Sequence, residues 1–549
     1  MSITSPVGGA PRPAVDRSPF EGLDLCATLG LAVDDGARGP VFDEDVWDFS
    51  PVVGLPAYLR PVARRLDFTA IRNPAWRIVA KEYAVALLAP HLDQVRELPG
   101  AYRTPRGIQT CVGRHVELVH WLNWLTEQQV ASLQHVTAEM CERFAAERGE
   151  IRDEHGAVVA VSTGALHNAV SAVSGLALYR ELFAPDHRYP SALRPFGGAT
   201  AAQVSGKRTD YTNRTPVVQE EVLQPLLTAA LYVSTTLAGP IAQFARERVP
   251  SPRRPQRRTV DAARLRAVIA GRAERNEPLE LLHPSEVRKR LDKQPWRADD
   301  PLIHVNLAEL AHEVDVDWMP LTWLDRLRPE LEAAVNAVGL VPPLARNAEV
   351  VERADGTGSL PWTEPLFFYQ AAGIPELLRF ACLVVTAAVS GMRRSELVEL
   401  LPGCRMPVEE PFPGLRRYRV AGTLIKGQPV GGTREQWVVT EHVHTAIAAV
   451  EQLGEDGPLF PNMVFDKKYA AFRTWGNGPR GQRLGLAPIP DGPVNLRMLR
   501  RTLAVALAYR PHGVLAAKIQ LKHVSVATTE GYAGSPGGAQ GPFPGRRGP

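Results

Sequence analysis

The chain has 549 residues, of which 45% are hydrophobic and 22% are charged, so we expect two to four globular domains and not a disordered chain. A net charge of +4 and a pI of about 8.8 tolerate a nucleic-acid partner without requiring one, so any DNA-binding surface must be a local patch. No apolar run approaches the roughly 20 residues that span a bilayer, and the first residues lack the basic start and apolar core of a signal peptide. Five scattered cysteines are typical of a reduced cytoplasmic protein. Because no run is long enough to span a bilayer, we expect no membrane association.

The N-terminal part of the chain changes character near residue 75. Residues 1–74 are rich in Gly, Pro and Asp and show little periodicity, which predicts an N-terminal extension that is partly disordered. From residue 75 to 200 helical spacing dominates, for example in the almost continuous apolar stretch from Val116 to Leu125. We therefore predict a helical domain over 75–200.

One cluster in this helical region could be read as a metal site. Cys111, His115 and His120 lie within ten residues of one another. Helical spacing puts the two histidines on different faces, and a fourth ligand is not evident. We predict structural roles for all three and no bound metal.

A second region follows a linker at residues 190–215, which is marked by its Gly, Pro and Thr content. VVQEEVLQPLLTAALYVSTTL then predicts a strong helix. Next comes SPRRPQRR, Ser251 to Arg258, with four arginines in eight residues. This segment is either a solvated linker or an arm that contacts phosphates, and the sequence leaves both open.

The first motif with chemical content follows an apolar helix. Pro375 to Val389 is apolar almost all round, which predicts a buried helix, and SGMRRSELVEL follows it directly. A buried helix that ends in a Gly turn would present Arg393 at a fixed point, as a phosphate clamp requires. Farther on, RRYRVAGTLIKGQPVGGTREQWVVT alternates like two strands around a Gly-Gly turn, with Lys426 beside that turn.

The second motif runs from Arg497 to Gly534 and predicts two short helices, a turn and a third segment ending in a tyrosine. One face of the first helix carries Leu499, Leu503 and Leu507, and Arg500 lies off that stripe. Leu521-Lys522-His523 closes the second helix, and Tyr532 follows nine positions after the histidine. Arginines bind phosphate, a histidine can donate to a phosphate oxygen, and a tyrosine hydroxyl can attack phosphorus.

Together these motifs resemble the two conserved boxes of tyrosine recombinases, the phage integrase family. SGMRRSEL is similar to the first box, Thr-Gly-Leu-Arg-x-x-Glu-Leu. The second box reads His-x-x-Arg, then Leu-Gly-His, then Tyr nine positions later. Here Arg497 occupies the slot of the first His and Lys522 the slot of the Gly, and both are departures. The sequence of the second motif most resembles the large integrases of actinobacterial mobile elements.

The resemblance implies a fold that is mainly α with a small antiparallel β-sheet. It implies a helical core-binding (DNA-binding) domain at 75–200 followed by a catalytic domain at 212–534. Because the first arginine box lies unusually far from the opening helix, we infer an insertion at about 250–355. Residues 535–549 are dominated by Gly and Pro, which predicts a disordered tail.

The family's chemistry assigns a role to each matching residue. Arg393 and Arg500 would neutralise the scissile phosphate, and Glu396 would hold an arginine in place. Tyr532 would attack phosphorus, Lys426 would protonate the leaving 5′ oxygen, and His523 would support the phosphate or the tyrosine. Arg497 joins this set with an open role. Neither a cofactor nor a metal is implied.

The implied function is site-specific recombination through a 3′-phosphotyrosine, for integration or excision of a mobile element. The implied partners are double-stranded DNA with specific attachment-type sites, a homo-tetramer on paired sites and an accessory directionality factor. The implied location is the bacterial cytoplasm, with nucleoid association when DNA is bound. Two alternatives stay open: a catalytically decayed DNA-binding relic, and a DNA-relaxing enzyme of the type IB topoisomerase kind.

Overall fold

The computed structural model describes most of the chain. The described residues are 18–56, 59–152, 158–207, 215–247, 262–292, 296–316, 319, 321–426, 428, 431–461, 464–510 and 513–522. They are mainly helical with short strands, which confirms the predicted fold class. The chain divides into two compact units, Met1–Asn213 with Gly422–Glu435, and Arg214–Ala421 with Gln436–Pro549.

The first unit is built from short helices and two antiparallel strand pairs. Its α-helices are α1 (Leu25–Leu29), α2 (Arg77–Leu88), α3 (Asp93–Arg96), α4 (Ile108–Glu127), α5 (Ala138–Arg148), α6 (Thr163–Leu178) and α7 (Ala201–Ser205). Its strands are β1 (Val46–Asp48), β2 (Arg65–Asp67), β3 (Glu150–Arg152) and β4 (Val158–Ala160). Strand β1 pairs with β2, and β3 with β4. Its 3-10 helices are Pro61–Arg64, Phe68–Ala70, Pro74–Trp76, Leu133–His135, Arg180–Leu182, Pro185–His187 and Pro195–Gly198.

The N-terminal segment is folded from residue 18 onward. Trp47, Phe49 and Phe68 are fully buried and belong to the same hydrophobic core as α2, α4 and α6. Residues 18–56 and 59–74 are therefore folded, whereas partial disorder of the extension 1–74 stays a prediction. Periodicity was a poor guide here because single aromatic side chains from turns and three-residue strands form this part of the core. Residues 1–17 lie outside the described residues.

Glu82 on α2 is a buried carboxylate in this core. Ser18 Oγ donates to Glu82 Oε1 over 2.8 Å, and burial raises the pKa of Glu82 from 4.5 to about 7. Between pH 4.5 and 7 the folded protein thus binds a proton that the unfolded chain has released, so stability falls as the pH rises through this window. Above pH 7 the buried charge costs up to about 3 kcal/mol.

We therefore expect Glu82→Gln to stabilise the protein at pH 8 by up to about 3 kcal/mol and to change little at pH 4.5. Urea unfolding followed by tryptophan fluorescence at both values tests this expectation. The matched control is Glu139→Gln, at an exposed glutamate on α5, which should leave the pH dependence as it is. A Glu82→Gln protein that still loses stability between pH 5 and 7 to the wild-type extent would contradict the assignment.

The second unit holds most of the α-helices in the described part of the chain. They are α8 (Glu220–Thr235), α9 (Ala238–Glu247), α10 (Ala262–Glu274), α11 (Pro284–Leu291), α12 (Leu307–Glu313), α13 (Leu321–Val338), α14 (Phe368–Ala371), α15 (Ile374–Ser390), α16 (Arg394–Leu397), α17 (Glu441–Glu451), α18 (Phe465–Asn477), α19 (Pro479–Arg483), α20 (Leu496–Ala508) and α21 (Gly513–Gln520). The remaining strands of the chain are β5 (Leu279–Glu280), β6 (Leu340–Val341), β7 (Val350–Glu352), β8 (Ser359–Pro361), β9 (Glu409–Phe412), β10 (Leu415–Leu424) and β11 (Thr433–Val439). The largest sheet has the order β11-β10-β9, whereas β5 and β6 form a parallel pair.

Helix α15 is the centre of this unit, as its apolar sequence predicts. It packs against α8, α9, α17, α18 and α20, and most of its residues are buried. Within the described residues, the stretch Phe368–Ser390 is long and apolar enough to cross a membrane, and 61% of its most apolar window is buried inside the protein. A core helix passes the same test, so this stretch is weak support for a membrane span.

The predicted insertion at about 250–355 contributes a small core of its own. Helices α10, α12 and α13 pack around Leu265, Leu310 and Leu327, all fully buried. The arginine-rich segment Ser251 to Arg258 lies outside the described residues. Its two interpretations, and the domain roles drawn from the resemblance, stay predictions.

Candidate active site

The first motif forms a rigid turn at the end of α15. Gly391 caps the helix with φ of +67°, a conformation that glycine adopts without strain. A Cβ at this position would lie 2.7 Å from Leu521 Cδ2 and 3.0 Å from Leu503 Cδ2, so a side chain here would displace the ends of these leucines. The Met392 N–H then donates to Ser390 Oγ over 3.1 Å. The turn that carries Arg393 is therefore fixed by both conformation and packing.

Arg393 is held by the motif's acidic residue. Its Nη1 donates to Glu396 Oε1 over 2.7 Å, and its backbone N–H donates to Glu396 Oε2 over 2.6 Å. The Glu396 side chain is 0% exposed and that of Arg393 21% exposed. A fully buried carboxylate thus orients an arginine that still reaches the surface. A supporting role of Glu396 in catalysis stays a prediction.

Arg500 connects the two motifs. It lies on α20 and is only 3% exposed. Its Nη1 donates to the carbonyl oxygen of Gly391, 109 residues away in sequence, and its Nη2 donates to that of Leu521 over 2.7 Å. These bonds fix the Arg393 turn against the segment that leads to His523. A guanidinium has five N–H donors, so a phosphate contact by Arg500 stays a prediction beside this structural role.

The segment that leads to His523 has an unusual backbone. Lys522 occupies the slot usually held by glycine, and its φ is +53°, in the left-handed region. Its Nζ lies 5.8 Å from the centre of the Trp437 ring on β11, and that ring is buried. Lysine thus adopts the conformation that glycine would supply, and a cation–π contact accompanies it.

The structure does not define the positions of the remaining predicted site residues, Arg497 excepted, relative to Arg393 and Arg500. Lys426 is exposed in the turn after β10, in the hairpin segment that groups with the first unit, so its position relative to the arginines stays a prediction. His523 and Tyr532 lie outside the described residues, as does the predicted tail 535–549. Sequence reasoning missed Trp437 and Gln520. The lysine in a glycine slot was the one available signal, because a positive φ there needs support.

The structure does not group Cys111, His115 and His120 as ligands of one metal ion. His115 is buried on α4, its Nε2 lies 2.8 Å from the Asp67 carbonyl oxygen, and its ring packs edge-on against Phe68. Burial lowers the pKa of His115, which favours the neutral ring. Across the described part of the chain, no three His, Cys, Asp or Glu side chains are grouped as a metal site needs.

Arg497 is the site residue most open to test. It is exposed in the first turn of α20, and its backbone N–H donates to the capping residue Asn495. Arginine stays charged, so it can add a phosphate contact but cannot act as an acid or base. We expect Arg497→Ala to slow DNA cleavage by roughly 10- to 100-fold, the value of a hydrogen bond to a charged group, and Arg497→His to cost less.

Single-turnover cleavage of a nicked duplex measures both variants. Because Arg497 is exposed, neither change should lower the unfolding midpoint. Equal and near-wild-type rates in both variants would mean that this position carries no chemistry.

Comparisons with known proteins give similarities of fold. No protein-family model matches the chain, and no curated protein matches it. The structure of XerH site-specific recombinase bound to difH substrate, a pre-cleavage complex, is 12% identical over 78% of each chain, with a TM-score of 0.35. XerH bound to palindromic difH substrate, a post-cleavage complex, is 12% identical over 87% of this chain and 93% of that one, with a TM-score of 0.34. XerA recombinase is 14% identical over 54% and 92%, with a TM-score of 0.20. At these values the similarities carry no functional argument, so the function is inferred from the chain's own residues.

Proposed function

We propose that this chain is a tyrosine-type site-specific DNA recombinase that cleaves and rejoins duplex DNA through a 3′-phosphotyrosine. The observation that carries the proposal is the connection made by Arg500. Arg500 donates to the carbonyl of Gly391, in the turn where Glu396 orients Arg393. It also donates to the carbonyl of Leu521, two residues before His523. Residues of two motifs that are far apart in sequence thus meet in one place, and this supports the proposal.

The chemistry follows from the properties of a phosphodiester. Its negative charge repels nucleophiles, so Arg393, with Arg500, would neutralise the non-bridging oxygens and stabilise the pentacoordinate state. The Tyr532 oxygen would attack phosphorus while the bond to the 5′ oxygen breaks, and Lys426 would supply that oxygen with a proton. His523 would support the phosphate or the tyrosine. Rejoining is the reverse step, and the phosphotyrosine conserves the bond energy, so the cycle consumes no ATP.

The finer parts of the proposal concern biology. We infer double-stranded DNA with specific attachment-type sites as the substrate, a tetramer on paired sites, and an accessory factor that sets direction. Integration or excision of a mobile element in a bacterial cytoplasm fits the actinobacterial integrases that the motifs resemble. These inferences rest on the sequence resemblance alone.

Trapping the covalent intermediate tests the proposal. Nicked duplexes that cover the sequences flanking the gene lose a short fragment after cleavage, so an active protein should accumulate an SDS-stable adduct. Failure to form an adduct on any of them would favour a DNA-binding relic. Relaxation of any supercoiled plasmid, with no preference for site, would instead indicate topoisomerase activity.

Lys426 gives a sharper test of mechanism. Lys426→Ala should slow cleavage about 10²- to 10⁴-fold, the usual contribution of a general acid. A substrate with sulfur at the 5′ bridging position should restore the rate, because a thiolate leaves without a proton. The control is Lys467→Ala, at an exposed lysine on α18, which should cleave both substrates normally. If sulfur leaves the Lys426→Ala rate unchanged, Lys426 does something other than protonate the leaving group.

A further inference from the structure

Gln520, the last residue of α21, is hydrogen-bonded to two separate elements. Its Nε2 donates to the Ser390 carbonyl oxygen over 2.8 Å and to the Val438 carbonyl oxygen over 3.0 Å. A side-chain amide has two N–H hydrogens, and both are used here. Ser390 is the last residue of α15, three positions before Arg393, and Val438 lies on β11. The Gln520 side chain therefore joins the C-terminal end of α15 to strand β11.

The carbonyls of Ser390 and Val438 lie close in sequence to predicted catalytic residues, so a small backbone displacement at either carbonyl would move those residues. Ser390 is fully buried and directly precedes the Gly391 turn, where a side chain would displace the ends of Leu503 and Leu521. Strand β11 pairs with β10 and begins seven positions after Lys426, so a displacement at Val438 is passed along a hydrogen-bonded ladder. Catalytic groups have to be held within about 0.5 Å of productive geometry.

The α21 end is itself well anchored. Arg500 donates to the carbonyl of Leu521, the next residue, and Leu521 is fully buried. Lys522 then lies over the Trp437 ring, one residue before Val438. The backbone at Gln520 is thus held by contacts of its neighbours Leu521 and Lys522, independently of the two hydrogen bonds of its side chain.

We propose that Gln520 is a positioning residue: it holds strand β11, the return strand of the hairpin that carries Lys426, against the end of α15 that precedes Arg393. This inference rests on the proposed function, since it needs Lys426 as the acid and Arg393 as the phosphate ligand. Gln520 touches no substrate in this proposal and acts only through two backbone carbonyls. Its removal should therefore impair proton delivery more than DNA binding.

The test uses the full chain and two nicked duplexes, one with an ordinary phosphodiester and one with a 5′-bridging sulfur. Gln520→Met keeps the length of the side chain and removes both donors. Cleavage of the ordinary duplex should slow roughly 10- to 100-fold, as for a misplacement of about 1 Å, while DNA affinity stays at the wild-type value. The sulfur duplex should recover most of this loss, because its leaving group needs no proton.

Two further variants complete the design. Gln243→Met makes the same chemical change on the exposed face of α9, where the amide donates to Glu247 over 2.7 Å, and should cleave both duplexes at the wild-type rate. Gln520→Glu also removes both donors and has a different side-chain end. It should show the same recovery with sulfur, which keeps the inference testable if the methionine variant folds poorly.

The outcomes separate the inference from the function on which it rests. Wild-type rates for Gln520→Met and Gln520→Glu on the ordinary duplex would overturn the inference alone. An equal loss on both duplexes would also overturn it, because the defect would then not pass through Lys426. A wild-type protein that forms no adduct with either duplex would overturn the proposed function, and the inference with it.

Discussion

Replacement of Tyr532 by phenylalanine should abolish the covalent protein–DNA adduct and leave DNA binding intact. The aromatic ring is kept, but the oxygen that attacks phosphorus is lost, and no other group in the proposed mechanism replaces it. Denaturing gel electrophoresis of a labelled nicked duplex measures the adduct, which should fall below detection. A mobility-shift assay on the same duplex measures binding, which should match the wild type.

Tyr509 supplies the matched control. It lies at the end of α20 and is 58% exposed, so it is the accessible tyrosine on the helix that carries Arg500. Tyr509→Phe should form the adduct as fast as the wild type. An adduct that survives in Tyr532→Phe, or that disappears in Tyr509→Phe, would assign the nucleophile elsewhere.

Replacement of Arg500 by alanine should reduce both stability and cleavage. It leaves the buried carbonyls of Gly391 and Leu521 without the donors they have now, at about 1–3 kcal/mol each, so the free energy of unfolding should fall by roughly 2–6 kcal/mol. The Arg393 turn also loses its attachment to the segment before His523. We expect single-turnover cleavage to slow by at least about 10²-fold. Urea unfolding and rapid-quench cleavage measure the two effects.

Two variants separate the causes. Arg500→Lys keeps the charge but replaces a planar fork with a single ammonium, so it should retain part of the stability and little of the rate. Arg510→Ala changes an exposed arginine just after the same helix, and we expect a change within about 0.5 kcal/mol. An Arg500→Ala protein as stable as the wild type would contradict the structural role, and one with an unchanged rate would remove Arg500 from the site.

Local patterns in the sequence predicted the elements of the site well. The apolar run at Pro375 to Val389 became α15, and Gly391 became its left-handed cap, because a buried helix needs apolar side chains all round and its end needs a residue without a Cβ. The alternating residues around Gly431-Gly432 became β10 and β11. Gly432 has φ of +79°, and a Cβ there would lie 2.7 Å from the Leu424 carbonyl oxygen. Each of these features depends on neighbours in sequence.

The sequence failed where burial depends on a second partner. Leu499, Leu503 and Leu507 mark one apolar face of α20, and Arg500 lies off that stripe, so the helical period gives no sign that Arg500 is buried. In the structure α20 packs against α15 and also against α21, which buries a second face and Arg500 with it. The helical period of apolar residues indicates the face that packs against one partner helix. It does not indicate that a second helix covers another face.

The sequence by itself determined the order of the motifs, the rigid turn before Arg393 and the residue types available for phosphoryl transfer. These follow from local apolar pattern, glycine conformation and side-chain chemistry. Only the tertiary structure decided that Arg500 reaches the carbonyl of Gly391, 109 residues away, and that Gln520 joins Ser390 to Val438. Backbone carbonyls carry no sequence signature, so a side chain that bonds to them is visible only when the chain has folded and the buried acceptors need a donor.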